Sequence, residues 1–104
     1  MQRVTLVRYT TKPEHAAENE ALSRAVFAQL RGAPPSDVAY ALLRDGNDFI
    51  HVFLNLKADE GAPVTELPAF KTFTKDIAQR CVVPPQATRL AAHLVDSFGF
   101  EGGR

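Results

Sequence analysis

The alternation of apolar and polar residues predicts four strands and two helices in the order strand, helix, strand, strand, helix, strand. Runs rich in β-branched and aromatic residues predict the strands, and apolar residues spaced three or four positions apart predict the helices. The expected strands are Arg3–Tyr9, Val38–Arg44, Phe49–Leu56 and Thr88–Phe98, and the expected helices are Glu14–Arg31 and Pro68–Arg80.

Capping residues and helix breakers mark the ends of the first helix. Thr11 and Glu14 have the spacing of a capping box, and Pro13 lies between them in the first turn, where a missing N–H costs nothing. Gly32 and the pair Pro34-Pro35 are expected to end the helix. The sequence therefore predicts a helix that begins near Thr11 and cannot pass residue 33.

Glycine, proline and acidic residues predict the remaining connections. The run Asp45–Asp48 predicts a tight hairpin between the second and third strands, and Lys57–Glu66 predicts a long surface loop. The pair Pro84-Pro85 is expected to end the second helix. Residues 99–104, which include three glycines, are expected to form a flexible tail.

This order of elements predicts an α+β fold of the ferredoxin-like kind. Two strand–helix–strand halves with right-handed crossovers give one four-stranded antiparallel sheet with both helices on one face. The chain has 104 residues, of which 45% are hydrophobic and 23% charged, which is typical of one folded domain. We therefore expect a single ferredoxin-like domain over residues 1–104.

The third strand predicts that both faces of this sheet are buried. One of its faces is aliphatic and the other largely aromatic: Ile50, Val52, Leu54 and Leu56 against Phe49, His51, Phe53 and Asn55. The fourth predicted strand is apolar on both sides as well. Because soluble monomers rarely expose a large apolar surface, we expect a homodimer in which two sheets cover each other.

Charge and cysteine content exclude several classes of function. Twelve basic and twelve acidic residues cancel, so nothing favours a nucleic-acid partner. Cys81 is the only cysteine, which excludes an internal disulfide and multi-cysteine metal sites, and no metal is predicted. No apolar run approaches about 20 residues, so neither a membrane span nor a signal peptide is expected. The single cysteine predicts a cytoplasmic location.

The element order, the two-sided apolar sheet and the Phe-rich segment Leu67–Phe73 resemble the dimeric α+β barrel superfamily, and within it the antibiotic-biosynthesis-monooxygenase-like (ABM-like) proteins. Such proteins include cofactor-independent oxygenases of polycyclic phenols and haem-degrading monooxygenases. The haem-degrading members use an asparagine, a tryptophan and a histidine, and this chain has no tryptophan. The resemblance implies an oxygenase without a cofactor, which needs a base or a cationic group in a dry pocket.

Three residues are candidates for the catalytic groups of such an enzyme. His51 lies mid-strand among apolar neighbours, where a neutral imidazole can take a phenolic proton; a hydrogen-bonded core histidine gives the same pattern. Arg8 and Tyr9 point to opposite faces of the first strand, so only one of them can reach a given pocket. Either can orient a phenolate, and either can equally belong to an interface.

Four residues are candidates for binding a substrate. His93 would line the same cavity as His51 if both share a face, and Asn55 would donate at the pocket mouth. Phe70 and Phe73 recur at helical spacing, which is typical of an aromatic-lined pocket and also of a filled core.

Other polar residues are interpreted structurally. His15 and Asn19 are assigned to an exposed helix face, Arg44 to the hairpin turn, and Cys81 to a buried, inert position.

Two functions follow from these observations. The first is a cofactor-independent monooxygenase acting on an aromatic or polycyclic molecule. The second is a non-catalytic dimer that binds a small apolar or aromatic ligand or has an accessory role. RNA recognition and acylphosphatase chemistry, which also occur on ferredoxin-like folds, lack their basic aromatic strand and their glycine-rich anion cradle here.

Overall fold

The computed structural model describes residues 3–32, 38–55, 66–92, 95–96 and 98. Its elements are β1 (Arg3–Thr11), α1 (Ala16–Gly32), β2 (Val38–Asp45), β3 (Asp48–Asn55), α2 (Pro68–Thr74), α3 (Ile77–Arg80) and β4 (Cys81–Ala91). The strands form one antiparallel sheet in the order β2-β3-β1-β4. The predicted ferredoxin-like α+β fold is confirmed. No helix within these ranges is long and apolar enough to cross a membrane.

The predicted hairpin between the second and third strands is also confirmed. Asp45 pairs with Asp48 across the two-residue turn Gly46-Asn47, and Gly46 has a positive φ of 61°. Glycine adopts this left-handed conformation without a steric penalty. The Arg44 Nε donates a hydrogen bond to the Gly46 carbonyl at 2.7 Å, which agrees with its predicted place at the turn.

The predicted capping box is wrong. Thr11 is the last residue of β1, and its hydroxyl donates to the Asn47 carbonyl at 3.3 Å instead of capping a helix. A 3-10 turn, Pro13–His15, begins after Lys12 without a side-chain cap, and α1 follows it. Because β1 extends to Thr11 and lies beside the hairpin turn, the Thr11 hydroxyl bonds to the turn and is not available to cap the helix.

The buried stripe of α1 is more polar than the sequence predicts. Its buried residues are Ala16, Asn19, Ser23 and Val26, which are three or four positions apart. Leu22 is only half-buried, although it anchors the predicted apolar stripe. The helix is therefore rotated so that two polar side chains face the core.

The second predicted helix is broken in two. Residues 75 and 76 separate α2 from α3, and Asp76 adopts the left-handed conformation with φ 61°. The Arg80 guanidinium donates to the carbonyls of Phe73 (2.6 Å) and Lys75 (3.1 Å), which would otherwise bond to a continuing helix. A side chain from α3 thus satisfies the end of α2.

The position of β4 also differs from the prediction. The pair Pro84-Pro85 does not end the helix, which stops at Arg80; it lies inside β4. Between the pairs Arg8↔Gln86 and Thr10↔Val83, β4 has one residue more than β1, and this bulge contains both prolines. β4 is an edge strand, so no strand lies on its outer side. The two prolines, which have no N–H group, therefore leave no outer strand without a hydrogen-bond donor.

The strand ends at Ala91 instead of Phe98. Residues 93, 94 and 97, and the predicted tail at 99–104, lie outside the described residues.

The two faces of the sheet have different environments. The aromatic face packs against the helices, and its buried members include Tyr9, Phe49 and His51. The other face carries Val4, Leu6, Ile50, Val52, Leu54 and Leu90, which the strand register places on one side, and no described helix packs against it. β4 is exposed from Val82 to Ala91, so burial of the last strand is not found within one chain.

Replacing Asp76 with glycine is expected to stabilise the fold, because glycine removes the penalty that a side chain carries at φ 61°. We expect the free energy of unfolding to rise by about 1 kcal/mol, measured by urea denaturation. The control is Lys75→Gly, at φ −62°, which should lower stability because glycine adds freedom to the unfolded chain. Equal effects at the two positions would contradict this explanation.

Candidate functional site

A buried histidine between two tyrosines forms the centre of the candidate site. His51 is only 5% exposed, and both of its ring nitrogens are hydrogen-bonded: Nε2 to the Tyr9 hydroxyl at 2.8 Å and Nδ1 to the Tyr40 hydroxyl at 2.6 Å. The strand register explains this arrangement. Tyr9 pairs with Phe49 and Tyr40 pairs with Phe53, so both tyrosines are diagonal neighbours of His51 on the same face.

The network continues from the sheet into the helices. The Asn19 Nδ2 donates to the Tyr9 hydroxyl at 2.8 Å, and the Arg80 Nε donates to the Asn19 Oδ1 at 3.2 Å. The Ser23 hydroxyl donates to the Asn19 carbonyl at 2.8 Å. Every buried side-chain nitrogen and oxygen of the described residues has a hydrogen-bond partner. One connected chain of polar groups therefore crosses the core from Tyr40 to Arg80.

Aromatic rings surround this network. Phe73 lies 5.5 Å from His51 and Phe49 lies 5.5 Å from Tyr9, measured between ring centroids. Phe27 stacks on Tyr40 at 4.6 Å. Apolar walls of this kind exclude water and strengthen the electrostatic interactions inside.

Burial keeps the central groups neutral. It lowers the pKa of His51 to about 4 and raises the pKa of Tyr9 to about 12, an increase that the Asn19 hydrogen bond opposes. It also raises the pKa of Tyr40 above its usual range. At neutral pH His51 is thus a neutral imidazole with one donor and one acceptor nitrogen. Because each hydroxyl can both donate and accept, the imidazole can hold its proton on either nitrogen.

Arg80 places a positive charge at the inner end of the network. It is 5% exposed, its guanidinium donates to Asn19 and to two backbone carbonyls, and it stacks over Phe73 at 5.6 Å. No carboxylate within the described ranges pairs with it. The same ranges contain no group of three His, Cys, Asp or Glu side chains placed to hold a metal ion.

The structure brings together some of the predicted site residues. Tyr9 and His51 are in direct contact, and Phe73 packs against His51. Phe70 is half-buried, and its ring packs against that of Phe73 with 6.2 Å between the ring centroids. Asn55 is buried, but it lies at the far end of β3, where it pairs with Arg3.

Two other predicted residues are not part of this cluster. Arg8 is exposed, and the register places it on the opposite face of the sheet from His51. His93 lies outside the described residues.

Three members of the network were missed by the sequence interpretation. Asn19, assigned there to an exposed helix face, is fully buried. The spacing of Ala16, Asn19, Ser23 and Val26 contains this signal, but two polar residues hide it. Tyr40 alternates with Val38 and Leu42 in β2, which marks it as helix-facing. No sequence signal identifies Arg80, because its role depends on the break before α3.

Described residues line two surface grooves. One, of about 430 Å³, lies between α1 and the hairpin β2–β3; the other, of about 700 Å³, lies between the start of α1 and the segment α2–α3. His51 is in the wall of neither groove. Tyr40 is the half-buried end of the network, and Arg80 forms part of the wall of the larger groove.

The chain resembles several solved structures over most of its length. A Nitrosomonas europaea protein provisionally named an antibiotic biosynthesis monooxygenase has a TM-score of 0.73 at 16% identity, over 88% of this chain and 89% of that protein. Rv0793 from Mycobacterium tuberculosis has a TM-score of 0.75 at 16% identity, over 93% of this chain and 100% of that protein.

SnoaB, a cofactor-independent oxygenase from Streptomyces nogalater, has a TM-score of 0.66 at 16% identity, over 90% of this chain and 95% of that protein. No family model matches the sequence, and no curated protein matches it either. At such low identity the likeness establishes the fold and leaves the activity to the site. The chain has the ferredoxin-like fold of the ABM-like proteins.

Proposed function

We propose that this protein is a cofactor-independent monooxygenase that acts on an aromatic or polycyclic molecule with an ionisable hydroxyl group. The observation that carries the proposal is the neutral His51 imidazole held between Tyr9 and Tyr40 in an aromatic environment. The fold it shares with SnoaB, a cofactor-independent oxygenase, supports the same class of reaction.

The reaction balances without an added reductant. A phenol or enol gives up a proton, and the resulting anion reduces O2, so that an oxygen–carbon bond forms as a hydroperoxide. Where the hydroperoxide forms on a carbon that was a CH2 group, loss of water from it leaves a carbonyl at that carbon. One oxygen atom enters the product, the other leaves as water, and the substrate supplies all the electrons. The protein has to accept a proton and stabilise an anion in a dry site.

Tyr40 and His51 have complementary parts in this scheme. In this scheme the Tyr40 hydroxyl, at the half-buried end of the network, accepts the substrate's proton and passes its own proton to the His51 Nδ1, 2.6 Å away. His51 is then an imidazolium, with Nε2 donating to Tyr9. Burial lowers the pKa of His51 to about 4 in the free protein, and the substrate anion that forms near it favours the charged imidazolium and so raises this pKa.

Arg80 and the rings complete the proposed site. The Arg80 charge, which no carboxylate of the described residues pairs with, acts through Asn19 and Tyr9 and favours negative charge near the network. Phe70 and Phe73 supply aromatic surface for a flat substrate. Arg8 lies on the opposite, open face of the sheet, and Asn55 lies at the far end of β3.

A homodimer through the open sheet face is part of this proposal. That face is largely aliphatic, with Ile50, Val52 and Leu54 along β3 and Val4 and Leu6 along β1. Each of these residues is half-buried within one chain. Leaving the rest of this contiguous apolar surface in water is unfavourable, and a second copy presents a matching face under two-fold symmetry. We also propose a cytoplasmic location, because the single cysteine, Cys81, is an unpaired thiol.

One observation favours a second function, a dimer that binds an aromatic ligand without reaction. Both ring nitrogens of His51 already have partners, and a purely structural network would show the same saturation. The two functions differ in whether bound ligand is consumed with O2.

Oxygen uptake with 1,8-dihydroxy-9-anthrone, a tricyclic phenol, tests the proposed reaction. We expect the protein to raise the rate of O2 uptake above the spontaneous rate, with one O2 consumed for each anthrone oxidised. Tyr40→Phe and His51→Phe should each lower kcat by about 100-fold or more, because both interrupt the proton path. The control His15→Gln changes an exposed histidine outside the network and should keep full activity.

Circular dichroism would establish that each variant is folded. Binding of the anthrone by the wild-type protein without any O2 uptake would support the ligand-binding function instead. Full turnover by Tyr40→Phe would remove the proton path from the mechanism.

The acid stability of the protein is expected to depend on His51. Its pKa is about 4 in the folded chain, against an ordinary value of 6.5, so the unfolded chain binds the proton first as the pH falls. The contribution of His51 is complete above pH 6.5 and is lost as the pH falls to about 4, a change of about 3 kcal/mol. Urea denaturation across this range measures it.

His51→Phe should remove this part of the pH dependence, whereas His15→Gln should retain it. The comparison uses the slope of stability against pH, so a general loss of stability in either variant does not disturb it. An unchanged slope in His51→Phe would show that the imidazole does not titrate in this way.

The proposed dimer predicts about twice the chain mass of 11.4 kDa in size-exclusion chromatography with light scattering. Val52→Glu places a charge in the middle of the open face and should give a monomer. Ala28→Glu, on the exposed side of α1, is the matched control and should leave the dimer intact. A wild-type monomer at micromolar concentration, or a dimeric Val52→Glu variant, would exclude this interface.

A further inference from the structure

The smaller groove, between α1 and the β2–β3 hairpin, combines positive charge with aromatic walls. We call it the arginine groove. Its chemically distinctive residues are Glu20, Arg24, Phe27, Arg31, Arg44 and Phe49, and its volume is about 430 Å³. Three guanidinium groups face one carboxylate, a local excess of two positive charges in a chain whose total charge is zero. The positive charge is therefore concentrated at this groove and is not a property of the chain as a whole.

Glu20 shows which kind of group these arginines hold. Its carboxylate accepts hydrogen bonds from the Arg44 Nη1 at 2.9 Å and from the Arg24 Nε at 3.2 Å. These bonds, the Arg44 bond first, lower the pKa of Glu20. A carboxylate is thus already bound between two guanidinium groups of the groove.

Most of the donors in the groove remain available. Each guanidinium has five N–H donors. Arg24 uses one on Glu20, and Arg44 uses one on Glu20 and one on the Gly46 carbonyl. Arg31 has no ion pair with any residue in the described ranges. The groove can therefore accept a second carboxylate without breaking the Glu20 contacts.

The aromatic walls connect the groove to the candidate site. Phe27 lines the groove and stacks on Tyr40 at 4.6 Å. Phe49 lines the groove and stacks on Tyr9 at 5.5 Å, while the Arg44 guanidinium lies over its ring at 5.5 Å. Both tyrosines that contact His51 are thus packed against a wall of the groove.

We propose that the arginine groove binds the carboxylate of a small aromatic acid, and that the substrate of this protein is such a hydroxylated aryl carboxylate. A planar carboxylate matches the guanidinium forks, and the adjoining rings match a flat aromatic body. The second part of this inference rests on the proposed monooxygenase function, whereas binding of the carboxylate does not.

Two probes separate the carboxylate from the ring. 2-Naphthoate has the carboxylate and no hydroxyl to oxidise, and 2-naphthol has the ring without the carboxylate. Titration calorimetry should show tighter binding of 2-naphthoate, with affinity falling as salt is raised. Arg31→Gln should weaken 2-naphthoate about tenfold through loss of a charge-assisted bond and leave 2-naphthol unchanged.

Two further variants make the test specific to the groove. Glu20→Gln removes the negative charge of the groove and should tighten 2-naphthoate several-fold. Arg89→Gln removes an exposed positive charge on β4, outside the groove, and should have no effect. Equal affinity for both probes, or equal weakening in Arg31→Gln and Arg89→Gln, would overturn the inference.

The outcome is independent of catalysis, because 2-naphthoate cannot react. If the groove binds 2-naphthoate and neither a hydroxylated naphthoate nor the anthrone drives O2 uptake, the groove stands and the monooxygenase fails. If O2 uptake occurs with the neutral anthrone and 2-naphthoate does not bind, the monooxygenase stands and the aryl carboxylate is excluded.

Discussion

His51 is buried in the middle of the sheet, and both of its ring nitrogens must find partners inside the protein. A buried polar atom left without a partner costs about 1–3 kcal/mol, and among the described residues the groups that bond to the His51 ring are two tyrosine hydroxyls. Tyr9 on β1 and Tyr40 on β2 reach it only in the observed register, because a slip of one residue would turn either side chain to the other face. This pair of hydrogen bonds ties three strands together.

The need for hydrogen-bond partners also determines which polar side chains of the helices are buried. Tyr9 needs a donor to its oxygen, and Asn19 provides it from a position in α1 that an apolar residue would ordinarily occupy. Asn19 in turn is held by Arg80, whose charge is buried without a described carboxylate and is compensated by carbonyls at the end of α2. The Arg80 cation thus lies beside the break between α2 and α3, and its guanidinium binds the carbonyls that the break leaves without helix partners. A positive charge there favours an anion, which links the architecture to the proposed chemistry.

Two aromatic rings lie between the buried hydrogen-bond network of His51 and the arginine groove. Phe27 and Phe49 each have one side against a tyrosine of the network and form a wall of the arginine groove. A ring can do both because its two faces are equivalent apolar surfaces. The opposite face of the sheet has no such partition. Its described residues are mainly aliphatic and form no polar network with one another, which suits association with a second copy better than chemistry.

The sequence alone was sufficient for the element order, the hairpin at Gly46, the ferredoxin-like topology and the two apolar sheet faces, because these depend on local periodicity and turn chemistry. It also singled out His51, Tyr9 and Phe73. It misplaced the burial of Asn19 and missed Arg80, because polar residues in a core pay their desolvation cost through distant partners that no local pattern encodes. Only the tertiary structure brought Tyr40, Asn19 and Arg80 to His51, by setting the strand register, rotating α1 and breaking the second helix around a buried guanidinium.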